Sequence, residues 1–185
     1  MYRIKNQRTK KLGFFSVCEL WRTKAGLKII GRYAIGGAIA ATRYIEPVQT
    51  FDLDIFVIFP LSESGLISIS PVYDYLAQLG YTAEGEFVNI EGWPVQLLPV
   101  YNPLTEEAME KVIEVEFGKT PTRVFSAEYL AAIMIETGRP KDHARLIHFF
   151  EFDSVDRSVL EDIVTRHGLK EKWRKFQEYY LKKDG

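Results

Sequence analysis

The sequence predicts an α+β fold, with a small mixed sheet and flanking helices over residues 1–103 and a helical part over 104–185. Three observations carry this reading. LDIFVIF, residues 53–59, is dense in β-branched and aromatic side chains and stops at Pro60, as a strand does. EFVNI (86–90) and VQLLPV (95–100) flank Glu91-Gly92-Trp93-Pro94, the pattern of a hairpin. After Pro103 the apolar spacing becomes helical.

In chain order, residues 1–10 are polar and expected to be loose. Lys11 to Lys24 reads as a helix, with FFSVCEL alternatively a short strand, and Gly26 ends it either way. RYAI (32–35) is extended, Gly36-Gly37 follows, and a helix runs from Ala38 to about Ile45, where Glu46-Pro47 closes it. Residues 62–70 form a loop, and Pro71 opens a helix that reaches about Leu79 and ends at Gly80. Residues 104–113 and 126–137 are helical in spacing, the second with Ser126 as cap and Glu128 in its first turn. Further helices are expected over Lys141–Phe150, Val155–His167 and Leu169–Leu181.

Composition excludes several classes of function. Lysine and arginine total 24 against 25 acidic residues, a net charge of -1, so no whole-chain field attracts nucleic acid or an anionic membrane. Cys18 is the single cysteine, which rules out an intrachain disulfide and a thiolate metal cluster; it is expected to be buried beside Phe14, Phe15, Val17 and Leu20. The basic N-terminus lacks a signal peptide's apolar stretch, and Arg32 and the aspartates interrupt every membrane-span candidate, so the chain reads as cytoplasmic. His143 and His148 are five apart and share no helix face, which argues against zinc. Trp21, Trp93 and Trp173 read as packing groups.

Asp52 and Asp54 break the apolar run. Two apart on a strand, they share one face about 6–7 Å apart, while Leu53, Ile55, Val57 and Phe59 serve the other. Two carboxylates so close, at the edge of an apolar layer, repel and lose hydration, which raises a pKa unless a cation compensates. Mg²⁺ suits the task because it takes oxygen ligands and bridges carboxylates to phosphates. A solvated strand end, or ion pairs to Arg43 or Arg32, is the alternative. Gly36-Gly37 shifts the balance, since glycine lets backbone approach a ligand and N–H groups opening a helix attract anions.

An apolar residue, Gly-Gly, a small-residue helix and then Asp-x-Asp in a strand resembles the nucleotidyltransferase superfamily of DNA polymerase beta, over residues 31–59. The likeness is to its minimal bacterial and archaeal branch and to the toxin components of abortive-infection systems. The resemblance implies that Gly36 and Gly37 hold phosphate and that Asp52 and Asp54 hold Mg²⁺. It also implies a third carboxylate, but Gln96 stands there in WPVQLLPV. A glutamine carbonyl ligates a cation or a water without contributing charge; Glu91 or Glu86 is the substitute at hand. In GRPKDHARLIHFF, Arg139, Lys141 and Asp142 match the branch's Arg-x-Lys-Asp run and would face the nucleotide or acceptor. Met134 occupies the place of an earlier lysine, whose charge would come from Arg43 or Arg145.

The activity implied is Mg²⁺-dependent transfer of a nucleoside monophosphate from a nucleoside triphosphate, ATP among them, to an acceptor hydroxyl on RNA, protein or a small molecule. The alternatives are a catalytically degenerate nucleotide-binding protein, as in a toxin–antitoxin pair, and an adaptor whose aspartates are surface charge. A protein partner or a second copy of the chain remains open, and no membrane partner is expected.

Overall fold

The computed structural model describes residues 31–47, 50–59, 68–117 and 119–181, with Val17, Cys18 and Leu20 from an upstream helix. The expectations for residues 1–16, 21–30 and 60–67, including Phe14, Phe15, Trp21 and most of the 62–70 loop, lie outside the described residues. Val17 and Cys18 are buried, as expected of the cysteine.

The strands are β1 (Arg32–Ile35), β2 (Leu53–Ile58), β3 (Ala83–Glu84), β4 (Phe87–Ile90), β5 (Trp93–Pro99), β6 (Ile113–Phe117) and β7 (Thr120–Val124). They form one mixed sheet in the order β3-β4-β5-β2-β1-β7-β6. β2 runs parallel to β5 and antiparallel to β1, so the strand the sequence predicts over 53–59 has partners on both sides. Its burial alternates, with Leu53, Ile55 and Val57 inside and Asp54, Phe56 and Ile58 half-exposed on the other face. That is the division the sequence predicts. The 86–97 hairpin also forms, with a tighter turn than expected. Glu91 and Gly92 both take positive φ, +52° and +83°, as two-residue hairpins require, and Trp93 already belongs to β5.

The helices are α1 (Gly37–Ala41), α2 (Ser70–Gln78), α3 (Pro103–Glu110), α4 (Ala127–Thr137), α5 (Pro140–Glu151), α6 (Arg157–Arg166) and α7 (Lys170–Phe176), continued by a π-helical turn Gln177–Leu181. α1 is shorter than the sequence suggests: after Ala41 the chain goes into turns, in which the Thr42 and Arg43 N–H groups bond three residues back. At α4, Ser126 occupies the cap position, but its hydroxyl donates to Glu128 instead of accepting from the helix.

Three strands escape the sequence reading, the two-residue β3 and two that matter more to the sheet. β6 and β7, from residues 113–124, form a hairpin that extends the sheet beyond residue 103, and Ile35 pairs with Val124 in parallel. α4 then crosses to the helical part. It packs on α1, α3, α5, α6 and α7 and buries Leu130, Met134 and Ile135, each worth about 1.5–3 kcal/mol of apolar burial. Its contact with α1 joins the glycine turn to the helices. No helix among the described residues is long and apolar enough to cross a membrane.

Candidate active site

The strand ladder aligns four residues across one end of the sheet. The Gly36 N–H, just past β1, donates to the Asp54 carbonyl at 2.9 Å. Asp54 is level with Gln96 on β5, and Gln96 with Phe87 on β4. Neighbouring strands lie about 4.8 Å apart, and level residues share a face. Gly36, Asp54, Gln96 and Phe87 therefore form a transverse row, with the Asp54 and Gln96 side chains opposite the buried layer.

Glycine is a steric requirement at the start of this row. Gly37 has φ +57°, and a Cβ placed on it would fall 1.8 Å from Asp54 Oδ2 and 2.8 Å from Cγ. A Cβ on Gly36 would come within 2.5 Å of the Phe56 ring, itself packed on Phe125 with centroids 4.9 Å apart. The Asp54 carboxylate thus rests directly against the glycine turn.

Burial raises the Asp54 pKa, the charge of Asp52 raises it further, and Lys141, Arg139 and Arg145 together oppose both effects. Asp52 sits just before β2. Its Oδ1 accepts from Thr50 Oγ1 at 2.7 Å, and it borders a recess with Phe51 and Phe87. The two aspartates therefore repel one another, yet of the pair only Asp54 lines the cleft beside the glycine turn, a cavity of about 220 Å³.

The opposite wall comes from the α4–α5 junction. Gly138, at φ +63°, ends α4 and lets Pro140 start α5 at a new angle. Asp142 is 1 % exposed. It accepts from Arg139 Nε at 2.6 Å, Arg139 Nη2 at 3.1 Å and Thr137 Oγ1 at 2.8 Å, with Arg145 Nη1 3.8 Å away. Burial by itself would raise its pKa; the bonds from Arg139 and Thr137 and the charges of both arginines outweigh burial and lower it. Asp142 thereby fixes Arg139 and Arg145 at the cleft wall. Met134 lines the wall where the resemblance calls for a lysine. Lys141 is exposed, but its charge acts on Asp54. Arg43 is exposed beyond α1, away from the cleft lining.

At the third acidic position Gln96 is bonded to Glu86, one of the two carboxylates the sequence offers as a substitute. Gln96 Nε2 donates to Glu86 Oε2 at 2.6 Å. Glu86 belongs to the turn before β4, beside Gly85 at φ +63°, so the alternation of a strand does not fix its direction. Glu91, the other substitute, accepts instead from the Tyr81 hydroxyl at 3.0 Å. At the cleft's far end Asn102 caps α3 and donates to both Glu136 oxygens at 3.2 Å, a feature without a sequence signal.

Among the described residues no group of three or more His, Cys, Asp or Glu side chains is placed to hold a metal ion. The two aspartates fit a smaller role, a hard dication that draws its remaining ligands from a phosphate compound. Such a charge would offset the repulsion and desolvation that raise Asp54.

No family model matches the chain, and no curated protein matches it. Solved structures do. The crystal structure of an antigenic nucleotidyltransferase-like protein from Paracoccidioides brasiliensis superposes with a TM-score of 0.56 at 12% identity, covering 89% of this chain and 91% of that one. The chain has the nucleotidyltransferase fold. The solution structure of the antibiotic-resistance factor ANT(2'')-Ia is similar at a TM-score of 0.51 and 13% identity, covering 95% and 97% of the two chains. At such identities the likeness is one of fold, so the role of each side chain in this nucleotidyltransferase-fold protein is argued from its own geometry.

Proposed function

We propose that the cleft binds a nucleoside triphosphate with Mg²⁺ and transfers its nucleoside monophosphate to an acceptor hydroxyl. The observation that carries this reading is the glycine turn lying against Asp54, where no side chain keeps a ligand from backbone and carboxylate together. Gly36 and Gly37 admit the phosphates by close approach; α1 is only five residues long, so its dipole contributes little. Asp54 and Asp52 would hold Mg²⁺, which when bound neutralises phosphate charge and polarises the phosphoryl oxygens. Arg139 and Arg145, oriented by Asp142, and Lys141 supply positive charge from the facing wall. Such preset charge, aimed at a phosphoryl group as it transfers, is usually the largest catalytic contribution.

Gln96, neutral where a carboxylate would serve, supports a second reading in which the nucleotide is bound without transfer. Titration with Mg²⁺-ATP and Mg²⁺-CTP, followed by incubation of α-labelled nucleotide with RNA, protein and small hydroxyl compounds, separates the two. The first reading expects Mg²⁺-dependent affinity that Asp54→Asn abolishes, and labelled acceptor. Binding with no labelled acceptor selects the second. No Mg²⁺-dependent affinity for any nucleoside triphosphate rejects both.

A further inference from the structure

We propose that Glu86 is the general base for the acceptor hydroxyl and that Gln96 is its positioning residue; this rests on the transfer reading above. The argument begins with the order of groups along the transverse row. From β1 to β4 it runs glycine turn, Asp54, Gln96, Glu86. In-line displacement at phosphorus needs the attacking and leaving oxygens on opposite sides of the transferring atom. With the leaving phosphates against the glycine turn, the acceptor enters from the β5–β4 side. Glu86 stands on that side.

Glu86 reaches the cleft through Gln96, which lines it, and the carboxylates that line it themselves are poorly suited to take a proton. Asp142 is buried and saturated by Arg139 and Thr137. Glu136 is engaged at both oxygens by Asn102. Asp54 lies against the glycine turn, on the phosphate side. Glu86 is exposed, and among the described residues it takes one hydrogen bond, from the neutral Gln96 amide to Oε2, which leaves Oε1 for an acceptor. A carboxylate at Gln96 would be level with Asp54 and would add a third negative charge beside Asp52. The Gln–Glu pair instead moves the base one strand further out and fixes it through a neutral donor.

In the step so assigned, Glu86 takes the hydroxyl proton as the acceptor oxygen forms its bond to the α-phosphorus. The bond from that phosphorus to the bridging oxygen breaks, and pyrophosphate leaves with the electron pair.

The test measures pyrophosphate release from Mg²⁺-ATP and Mg²⁺-CTP, with water and glycerol as acceptors, alongside nucleotide affinity. Glu86→Gln is expected to lower kcat about 10²–10⁴-fold. Nucleotide affinity should stay within about 3-fold, since Glu86 lies outside the phosphate site. Gln96→Met, which keeps volume and removes the donor, should lower kcat without changing KM, and by less. A Glu86→Gln chain that turns over like wild type, or that loses nucleotide affinity, overturns the assignment while the transfer reading stands. A wild-type chain that binds Mg²⁺-nucleotide yet releases no pyrophosphate overturns the base and favours binding alone. A chain with no nucleotide affinity takes down the underlying reading and this one with it.

Discussion

Acidic side chains at the sheet end and in the helical part are treated in opposite ways. Glu107 on α3 accepts from Arg166 Nη1 at 2.6 and 2.7 Å and from the Tyr129 hydroxyl at 2.7 Å, with His167 Nε2 2.6 Å away. The Arg166 bonds act most strongly, burial opposes them, and Tyr129 and His167 add to them, holding its pKa at about 2. Asp54 is raised by burial and by Asp52. The consequences for stability differ in sign. Glu107 contributes stability that is complete above its unfolded pKa of 4.5 and is lost as pH falls from there toward 2. Asp54 costs stability that grows as pH rises from its ordinary value of 3.8 through its raised folded pKa and is complete above it, and lower pH relieves that cost. One acid ties α3 to α6; the other, buried beside a second carboxylate, is held at the expense of the fold.

The largest expected effect tests that contrast directly. Asp54→Asn should reduce transfer about 10²–10³-fold and nearly abolish Mg²⁺-nucleotide affinity, while the melting temperature at pH 7 stays level or rises. A sharp fall in melting temperature with affinity intact would make Asp54 a strut like Glu107 and break the comparison. Gly37→Ala comes next. Its Cβ would displace the Asp54 carboxylate, and the left-handed backbone costs about 1–2 kcal/mol in an L-residue. Nucleotide affinity should fall roughly tenfold or more, since a displacement worth about 1.4 kcal/mol already gives that factor. Isothermal titration at fixed Mg²⁺ reads this out, and unchanged affinity would detach the glycine turn from the phosphate.

How much of this was legible in the sequence depended on whether a signal was local. β2 and its two faces follow from alternation within seven residues, and the glycine turn and aspartate pair from their order along the chain. β6 alternates as Ile113-Glu114-Val115-Glu116-Phe117, but it follows directly on a helical spacing, and its partner β7 contains Pro121, opposite Glu116, a residue that weakens a strand signal. Asp142 could be paired with Arg145 by helix spacing, but its bond from Thr137 crosses the α4–α5 corner, whose angle no local pattern fixes. The sequence offers Glu86 and Glu91 alike as partners for Gln96; the choice of Glu86 follows from the Gly85-Glu86 turn, where the alternation of a strand lapses.

Glu107→Gln should cost about 1–2 kcal/mol, the lowered pKa being discounted for a side chain in partial contact with solvent. Urea unfolding should show that loss at pH 7 and a smaller one at pH 3, because the wild-type contribution is already fading there. Nucleotide affinity should not change. A variant equally destabilised at both pH values would place the effect in packing and not in charge.

Arg43 gives the smallest effect and the finest discrimination, because unlike Arg139 and Arg145 it stands outside the cleft lining and unlike Lys141 it is not one of the main charges acting on Asp54. It is exposed past the end of α1, and its charge acts on Tyr44, whose hydroxyl donates to the Phe125 carbonyl at 3.0 Å. Burial first and Glu128 second push the Tyr44 pKa up to about 12, and Arg43 opposes them. An exposed charge in such a position is worth about 0.2–1 kcal/mol to a neighbour, so Arg43→Ala should change nucleotide affinity about 2-fold or less. Arg145→Ala, which removes a largely buried guanidinium from the wall facing Asp54, should weaken binding by much more. If Arg43→Ala proved the more damaging of the two, the triphosphate would have to run outward past α1 instead of toward α5, and the charge that answers Asp54 would belong to the sheet side of the molecule.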